Sequence, residues 1–216
     1  MTAVVLPLEE NDYEVAASIQ QAAFAPDPIS GLVWGRVDPA VGLETQTARF
    51  RQIAADPWRT LRKAVRRRED TGDGTPQMEE IVAVSVSALI DAAEEQKVKN
   101  DAPPAPGTNV ELLNEFYGML GSLMEEFKKK DPKFYHLTVL VVSPKAQRTG
   151  AGAALLQKLV DEADGANLPC YLESSDPGVG LYRKFGFVEC AERPRCGPDG
   201  VITVLPMRRP AKSEPR

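Results

Sequence analysis

The stretch Val139–Leu159, VLVVSPKAQRTGAGAALLQKL, decides the reading of this chain. Its first residues are apolar and complete a continuous strand over 134–143 (FYHLTVLVVS). A polar loop follows, and Gly150 and Gly152 then open a helix over about 150–164, with Ala153, Leu156, Leu159, Val160 and Ala163 on one face and Gly165 as its stop. Glycines carry no side chain, so the backbone there can come close to a bulky anion. Successive backbone N–H groups at a helix N-terminus suit a pyrophosphate. Gln147 and Arg148 add donors, and Arg148 adds positive charge.

Taken alone, the glycines leave several readings. A dinucleotide fingerprint would use Gly150 and Gly152, with Glu173 about twenty residues on, but its third glycine position is held by Leu155. A P-loop is excluded, because no Lys-Ser/Thr follows the glycines. A glycine-rich helix start with no ligand stays open.

Working outward, residues 3–6 (AVVL) predict a strand and 12–24 a helix with Asp12 as N-cap, broken by Pro26 and Pro28. A helix over 41–54, a strand over 60–67, a hairpin loop at 69–78 and a central strand at 81–90 (IVAVSVSALI) follow. Residues 91–107 are charged and then Pro-rich, a mobile connection by composition. Thr108 with Glu111 predicts a capping box. The helix it opens carries Leu113, Phe116, Leu120, Leu123 and Phe127 at helical steps, a core stripe rather than a ligand groove, and ends in Lys128–Lys130. Further on come a strand at 169–174, a short helix at 178–185 stopped by Gly186, a strand from Phe187, and a last strand at 201–207.

Two segments resemble a known family. Gln-Arg-Thr-Gly-Ala-Gly at 147–152 is similar to the Q/R-x-x-G-x-G/A motif of the GNAT N-acetyltransferases at every defined position, after a strand and before a Leu-Leu helix. LESSDPGVGLYRKFGF at 172–187 resembles the family's second cofactor segment, a strand leading to a helix that ends Leu-Tyr-x-x-x-Gly-Phe. AAF at 22–24 and IVA at 81–83 resemble family members too, fungal ones especially. The strong resemblance covers about 134–187.

The resemblance implies an α/β fold with a mixed, mostly antiparallel central sheet splayed at the cofactor strand and flanked by helices, the acyl-CoA N-acyltransferase fold. It would occupy residues 1–208 as a single domain with a variable insertion at 91–133, and composition predicts a disordered tail at 209–216. It implies acetyl-CoA as co-substrate. Its pantetheine would pair with the freed edge at Leu140, Val141 and Val142, the N–H of Leu140 would polarise the acetyl carbonyl, and the pyrophosphate would sit on Gln147, Arg148, Thr149, Gly150, Ala151, Gly152 and Ala153. Many members carry an asparagine just past the second strand; here Ser174-Ser175-Asp176 stands there, with Ser175 the candidate cofactor contact.

For catalysis, the resemblance points to Tyr182 as the tyrosine that protonates or hydrogen-bonds the departing sulfur, unless it only packs under the cofactor. His136, eleven residues before Gln147, holds an offset where some members place a glutamate general base. An imidazole can do that work at neutral pH, or His136 can be a strand-end residue bonded to backbone. Glu173 is the rival base, or a structural carboxylate. Cys170 reads as a small buried strand residue rather than an acyl-carrying thiol.

The implied activity is direct acetyl transfer from acetyl-CoA to a primary amine in a ternary complex. The acceptor is expected to be a small-molecule amine, held between residues 25–35, the 91–133 insertion and the final hairpin. Alternatives are a protein or peptide N-acetyltransferase and a non-catalytic CoA-binding module. The net charge of -5 argues against nucleic acid as main partner. Three cysteines without short spacing and a single histidine argue against a metal site or a disulfide framework. No apolar run reaches the ~20 residues a membrane span needs. The expectation is a cytoplasmic protein, with the nucleus equally open, acting as a monomer or homodimer.

Overall fold

A computed structural model describes residues 3–67, 79–94 and 103–214. Strand β1 (Val4–Pro7) precedes three helices, α1 (Tyr13–Phe24), α2 (Pro28–Trp34) and α3 (Pro39–Ala54). Strands β2 (Arg59–Arg67) and β3 (Glu79–Asp91) lead to α4 (Val110–Lys130), β4 (Lys133–Val142), α5 (Ala151–Ala166), β5 (Cys170–Ser174) and α6 (Val179–Lys184). The chain closes with β6 (Val188–Glu189), β7 (Arg195–Cys196), β8 (Ile202–Thr203) and β9 (Leu205–Arg209). Seven strands form one sheet in the order β1-β2-β3-β4-β5-β9-β6, and β7 and β8 form a separate pair. Within the large sheet only β4 and β5 run parallel. This is the mixed, mostly antiparallel sheet flanked by helices that the sequence led us to expect.

Helices cover both faces, because β3 and β4 are apolar on both sides. On β3, Val84 and Val86 pack with Tyr13, Ala16 and Phe50 of α1 and α3, while Ala88 and Ile90 pack with Leu123 and Phe127 of α4. Residues two apart share a face, so α1, α3 and α4 lie on one side. On the other, Leu155 of α5 joins Ala83, and Leu156 and Leu159 join Leu137, Leu172, Tyr182 and Met207.

Several local expectations are corrected. Pro28 does not only break a helix; it starts α2, where Asp27 Oδ1 accepts from the Ile29 N–H at 3.1 Å. A proline at the first helical position loses no hydrogen bond. Asp38 caps α3 in the same way, with Ala40 N at 2.9 Å. Asp12 does not cap α1 with its side chain; its carboxylate is taken by Lys63 Nζ at 2.6 Å. The cap of α4 is Asn109, which accepts from Leu112 N at 3.2 Å, while Thr108 Oγ1 is buried with no hydrogen-bond partner among the described residues. Helix α5 runs through Gly165, and Asn167 (φ 52, ψ 46) makes the left-handed cap instead.

The segment read as one strand at 201–207 divides. Ile202 and Thr203 pair with Cys196 and Arg195, and Leu205 onward joins the main sheet beside β5. The tail expected to be disordered from 209 is corrected as well. Arg209 ends β9, is buried, and holds Asp164 through two bonds of 2.6 and 3.0 Å. Ala211 is buried too, and Ser213 N donates to Asn167 Oδ1 at 3.0 Å. A paired guanidinium and an apolar contact keep this segment on the fold. The hairpin loop expected at 69–78 and residues 95–102 of the expected connection lie outside the described residues. Among the described residues, no helix is long and apolar enough to cross a membrane.

Candidate active site

Strands β4 and β5 pair at Tyr135↔Cys170, His136↔Tyr171 and Leu137↔Leu172. Beyond Leu137 the pairing stops, while Val139 to Val142 stay paired with β3. The sheet therefore forks, and one edge of β4 over Leu140, Val141 and Val142 is released. The cause lies in the register. Val86 faces Val139 and Ser87 faces Leu137, so Thr138 is an extra residue, a bulge that bends β4 at the fork. Val141 is buried towards α1, and Leu140 and Val142 are half-buried towards α5.

The turn after β4 carries two left-handed residues, Arg148 (φ 64) and Gly150 (φ 91). Thr149 Oγ1 braces it by donating to Ala146 O at 2.7 Å. Residues Gln147 to Gly150 are exposed, Ala151 and Gly152 are buried, and Ala153 is half-buried. No side chain caps α5, so its first amides are left for another acceptor. The two glycines have different work. A Cβ on Gly150 would meet nothing within 4 Å, so open space lies before the turn. A Cβ on Gly152 would stand 3.1 Å from Val142 Cγ2 and 3.6 Å from Leu181 Cδ2. Gly152 lets α5 settle on β4 and α6.

At the fork, His136 and Glu173 come together. His136 Nε2 lies 2.9 Å from Glu173 Oε2 and 3.2 Å from Oε1, with both side chains about nine-tenths buried. An ionised carboxylate only accepts hydrogen bonds. The Nε2 nitrogen is thus assigned the proton, and Nδ1 presents its lone pair. The two residues read from sequence as rival bases are one unit. Thr138 Oγ1 stands 3.4 Å from His136 Nδ1. Sequence reading missed Thr138, since a bulge is a property of strand pairing and has no residue-type signature here.

His136 shares the α4 face with Phe134, and Glu173 shares it with Tyr171. Tyr182 lies on the opposite face, in the cluster with Leu137, Leu172 and Phe187, its ring 5.9 Å from that of Phe187. Gly178 sits flat against it; a Cβ there would be 2.9 Å from Tyr182 Cε2 and 3.0 Å from Ser174 Oγ. Burial pushes the Tyr182 hydroxyl well above its ordinary pKa. Ser175 is half-buried, and its carbonyl accepts from Ser174 Oγ at 2.7 Å and Gly178 N at 3.0 Å. Cys170 is fully buried, and burial pushes its thiol up to about 12, so it stays protonated, as befits a packing residue.

The three segments named as acceptor walls pack on one another. Ile29 and Val33 of α2, Leu112 and Leu113 of α4, and Cys196 and Ile202 of the β7–β8 pair form one apolar cluster. Asn109 N donates to Val33 O at 2.8 Å, and Gly197 N to Glu115 Oε1 at 3.1 Å. An open hollow of about 320 Å³ is lined by Ala3, Arg66, Val82 and Thr149, so it touches the turn through Thr149 and has neither His136 nor Glu173 in its lining.

A family model described as an acetyltransferase (GNAT) domain matches residues 87–210. No curated protein matches the sequence. Among solved structures, the fold is similar to that of a Corynebacterium glutamicum protein described as histone acetyltransferase HPA2 and related acetyltransferase, with TM-score 0.60, 21% identity and 99% of each chain covered. It is similar to the ribosomal-protein-S18-alanine N-acetyltransferase of Escherichia coli, with TM-score 0.57, 18% identity, and 99% of this chain and 97% of that one covered. It is also similar to Arabidopsis thaliana NAA60 in complex with acetyl-CoA, with TM-score 0.54, 15% identity and 96% of each chain covered. At these identities the likeness concerns the fold, and these bacterial and plant proteins lend no support to a fungal subtype.

Proposed function

Because this chain belongs to the GNAT acetyltransferase family, we propose that it transfers an acetyl group from acetyl-CoA to the primary amine of a small molecule, by direct attack in a ternary complex. The observation that carries the reading is the fork: a released β4 edge beside an uncapped, left-handed glycine turn, with the His136–Glu173 pair where the strands part.

Acetyl-CoA supplies the acyl group as an activated thioester. The main chain of Leu140 to Val142 holds the pantetheine by strand addition, and the Leu140 N–H polarises the acetyl carbonyl. The amides of Gln147 to Ala153 hold the pyrophosphate in front of Gly150, aided by Arg148. Ser175 borders the cofactor on the other arm of the fork. Holding the amine and thioester together supplies a large part of the rate, up to roughly 7–11 kcal/mol in favourable intramolecular models.

A free amine near pKa ~10 is almost wholly protonated at neutral pH, so a base is needed. The acceptor attacks as its neutral amine, its ammonium proton having gone to solvent. As the nitrogen forms the C–N bond and the C–S bond breaks, His136 takes at Nδ1 the proton that leaves this nitrogen, while Glu173 fixes the tautomer and balances the imidazolium. Tyr182 donates a hydrogen bond to the departing sulfur rather than its proton. Burial makes the phenol a weaker acid, whereas an ordinary thiol sits near ~8.5, so full proton transfer would run uphill.

The α2–α4–hairpin body, built on the α4 side of the sheet, closes the acceptor side and favours a small amine over a long peptide. The chain acts as one acetyltransferase domain over 1–208 with its variable insertion at 91–133, and the buried Arg209 and Ala211 carry its packing past residue 208. Three unpaired cysteines suit a cytoplasmic setting. The deciding experiment is a screen of arylamines, polyamines, amino acids and short peptides with acetyl-CoA, reading thiol release. Turnover with small amines is expected. Heat of acetyl-CoA binding without turnover would leave a binding module, and turnover confined to peptides would move the acceptor class.

A further inference from the structure

His136 is buried, and its Nε2–H is committed to Glu173. The nitrogen left to act as base is Nδ1, and among the described residues the side chain in reach of it is Thr138, with Oγ1 at 3.4 Å. Thr138 is exposed, whereas His136 is not. Thr138 is also the bulge residue, the first of β4 beyond the last rung shared with β5. A buried base needs a route to its substrate, and this hydroxyl is an exposed group beside the imidazole at the residue where β4 leaves β5.

We propose that Thr138 is the proton port of His136, carrying the acceptor amine's proton to Nδ1; the proposal rests on the acetyl-transfer reading above. The Thr138 hydroxyl donates to Nδ1, and its oxygen accepts an N–H from the amine. As nitrogen bonds to the carbonyl carbon and the C–S bond breaks, the nitrogen's proton passes to Oγ1 and the hydroxyl's own proton passes to Nδ1. The step leaves a neutral amide, a thiolate, an intact threonine and an imidazolium paired with Glu173. Proton exchange with solvent then neutralises the thiolate and the imidazolium. A separation of 3.4 Å is long for such a bond, but catalytic hydrogen bonds are often long in the free enzyme and tighten in the complex.

The chain has a single histidine, so nitrogen NMR reads its ring without ambiguity and without an acceptor. In the neutral ring the expected spectrum has Nε2 protonated and Nδ1 bare. The Nδ1 resonance should move in Thr138→Val and hold in Thr138→Ser. In steady-state assays with an amine found by the screen, Thr138→Val is expected to lower kcat about 100-fold with KM for acetyl-CoA within about twofold, and Thr138→Ser to stay within about threefold of wild type. A protonated Nδ1 in the neutral ring, a wild-type rate in the valine variant, or a serine variant as slow as the valine one would each overturn the port while leaving acetyl transfer standing. A wild-type protein that releases thiol with no amine would overturn both.

Discussion

His136 Nε2 and Glu173 Oε2 meet at 2.9 Å across the last rung of the parallel β4–β5 pair, Leu137↔Leu172. The residues are far apart in sequence, yet neighbouring strands present them on one face. In the proposed mechanism Glu173 acts through His136, fixing which ring nitrogen is free. Glu173→Gln keeps the shape and removes the charge. The expected result is a fall in kcat of roughly 10–100-fold with little change in KM for acetyl-CoA. A wild-type kcat in the glutamine variant would detach Glu173 from the chemistry.

Tyr182 is buried against Phe187 and Leu172, and its ring fills the space that a side chain at Gly178 would need. Tyr182→Phe keeps the packing and removes the donor. One hydrogen bond to a charged sulfur is worth about 1.5–3 kcal/mol, so kcat should fall roughly 10–100-fold with KM nearly unchanged. Because burial holds the phenol protonated, the variant should keep the alkaline side of the wild-type rate profile. A purely KM effect would make Tyr182 a packing residue.

Gly150 combines a left-handed backbone with open space in front, so its two possible failures separate. Gly150→Ala meets no neighbour and pays only for the conformation, about 1–2 kcal/mol of stability. Gly150→Asp adds a negative charge where phosphates are proposed to sit, and calorimetry should show acetyl-CoA affinity lost by more than about 100-fold. An unchanged dissociation constant in the aspartate variant would refute the phosphate cradle.

The segment 134–187 was legible because its signals are local. An unbroken apolar strand, glycines opening a helix, and an apolar stripe at helical spacing each declare themselves within about a dozen residues. What stayed hidden depends on partners distant in sequence. Helix α2 buries Ile29 and Val33 against α4 and the β7–β8 pair, none of which its own few residues reveal. The bulge at Thr138 exists only relative to β3. Splitting 201–207 into two strands follows from a switch of partners at Val204, which an apolar run cannot announce.

Asp131, at the end of α4, accepts from Arg208 Nε at 2.8 Å and from the Tyr171 hydroxyl. Burial alone would raise its pKa, yet these bonds and the Arg208 charge hold the carboxyl below its usual range. A carboxyl depressed in the folded state stabilises fully above its unfolded value, about 3.9, and that contribution fades as pH falls through the folded value. Asp131→Asn should thus start about 2 kcal/mol less stable at neutral pH, and its deficit should shrink below about pH 4. Urea midpoints across pH measure this; a constant deficit would mean that the charge is not what matters.

The start of α4 offers the sharpest test of cap against composition. Thr108 and Glu111 have the spacing of a capping box, but Asn109 takes the cap, and among the described residues the buried Thr108 hydroxyl has no partner. A threonine one residue earlier could cap only if the helix began one residue sooner. Asn109 N is instead drawn to Val33 O at 2.8 Å, which fixes where the chain enters α4. Asn109→Ala should therefore cost about 1 kcal/mol. Thr108→Val removes an unpaired buried hydroxyl at almost constant shape and should be neutral or stabilising by up to about 1 kcal/mol. Denaturant midpoints for the two variants decide it, and the reverse ranking would return the cap to Thr108.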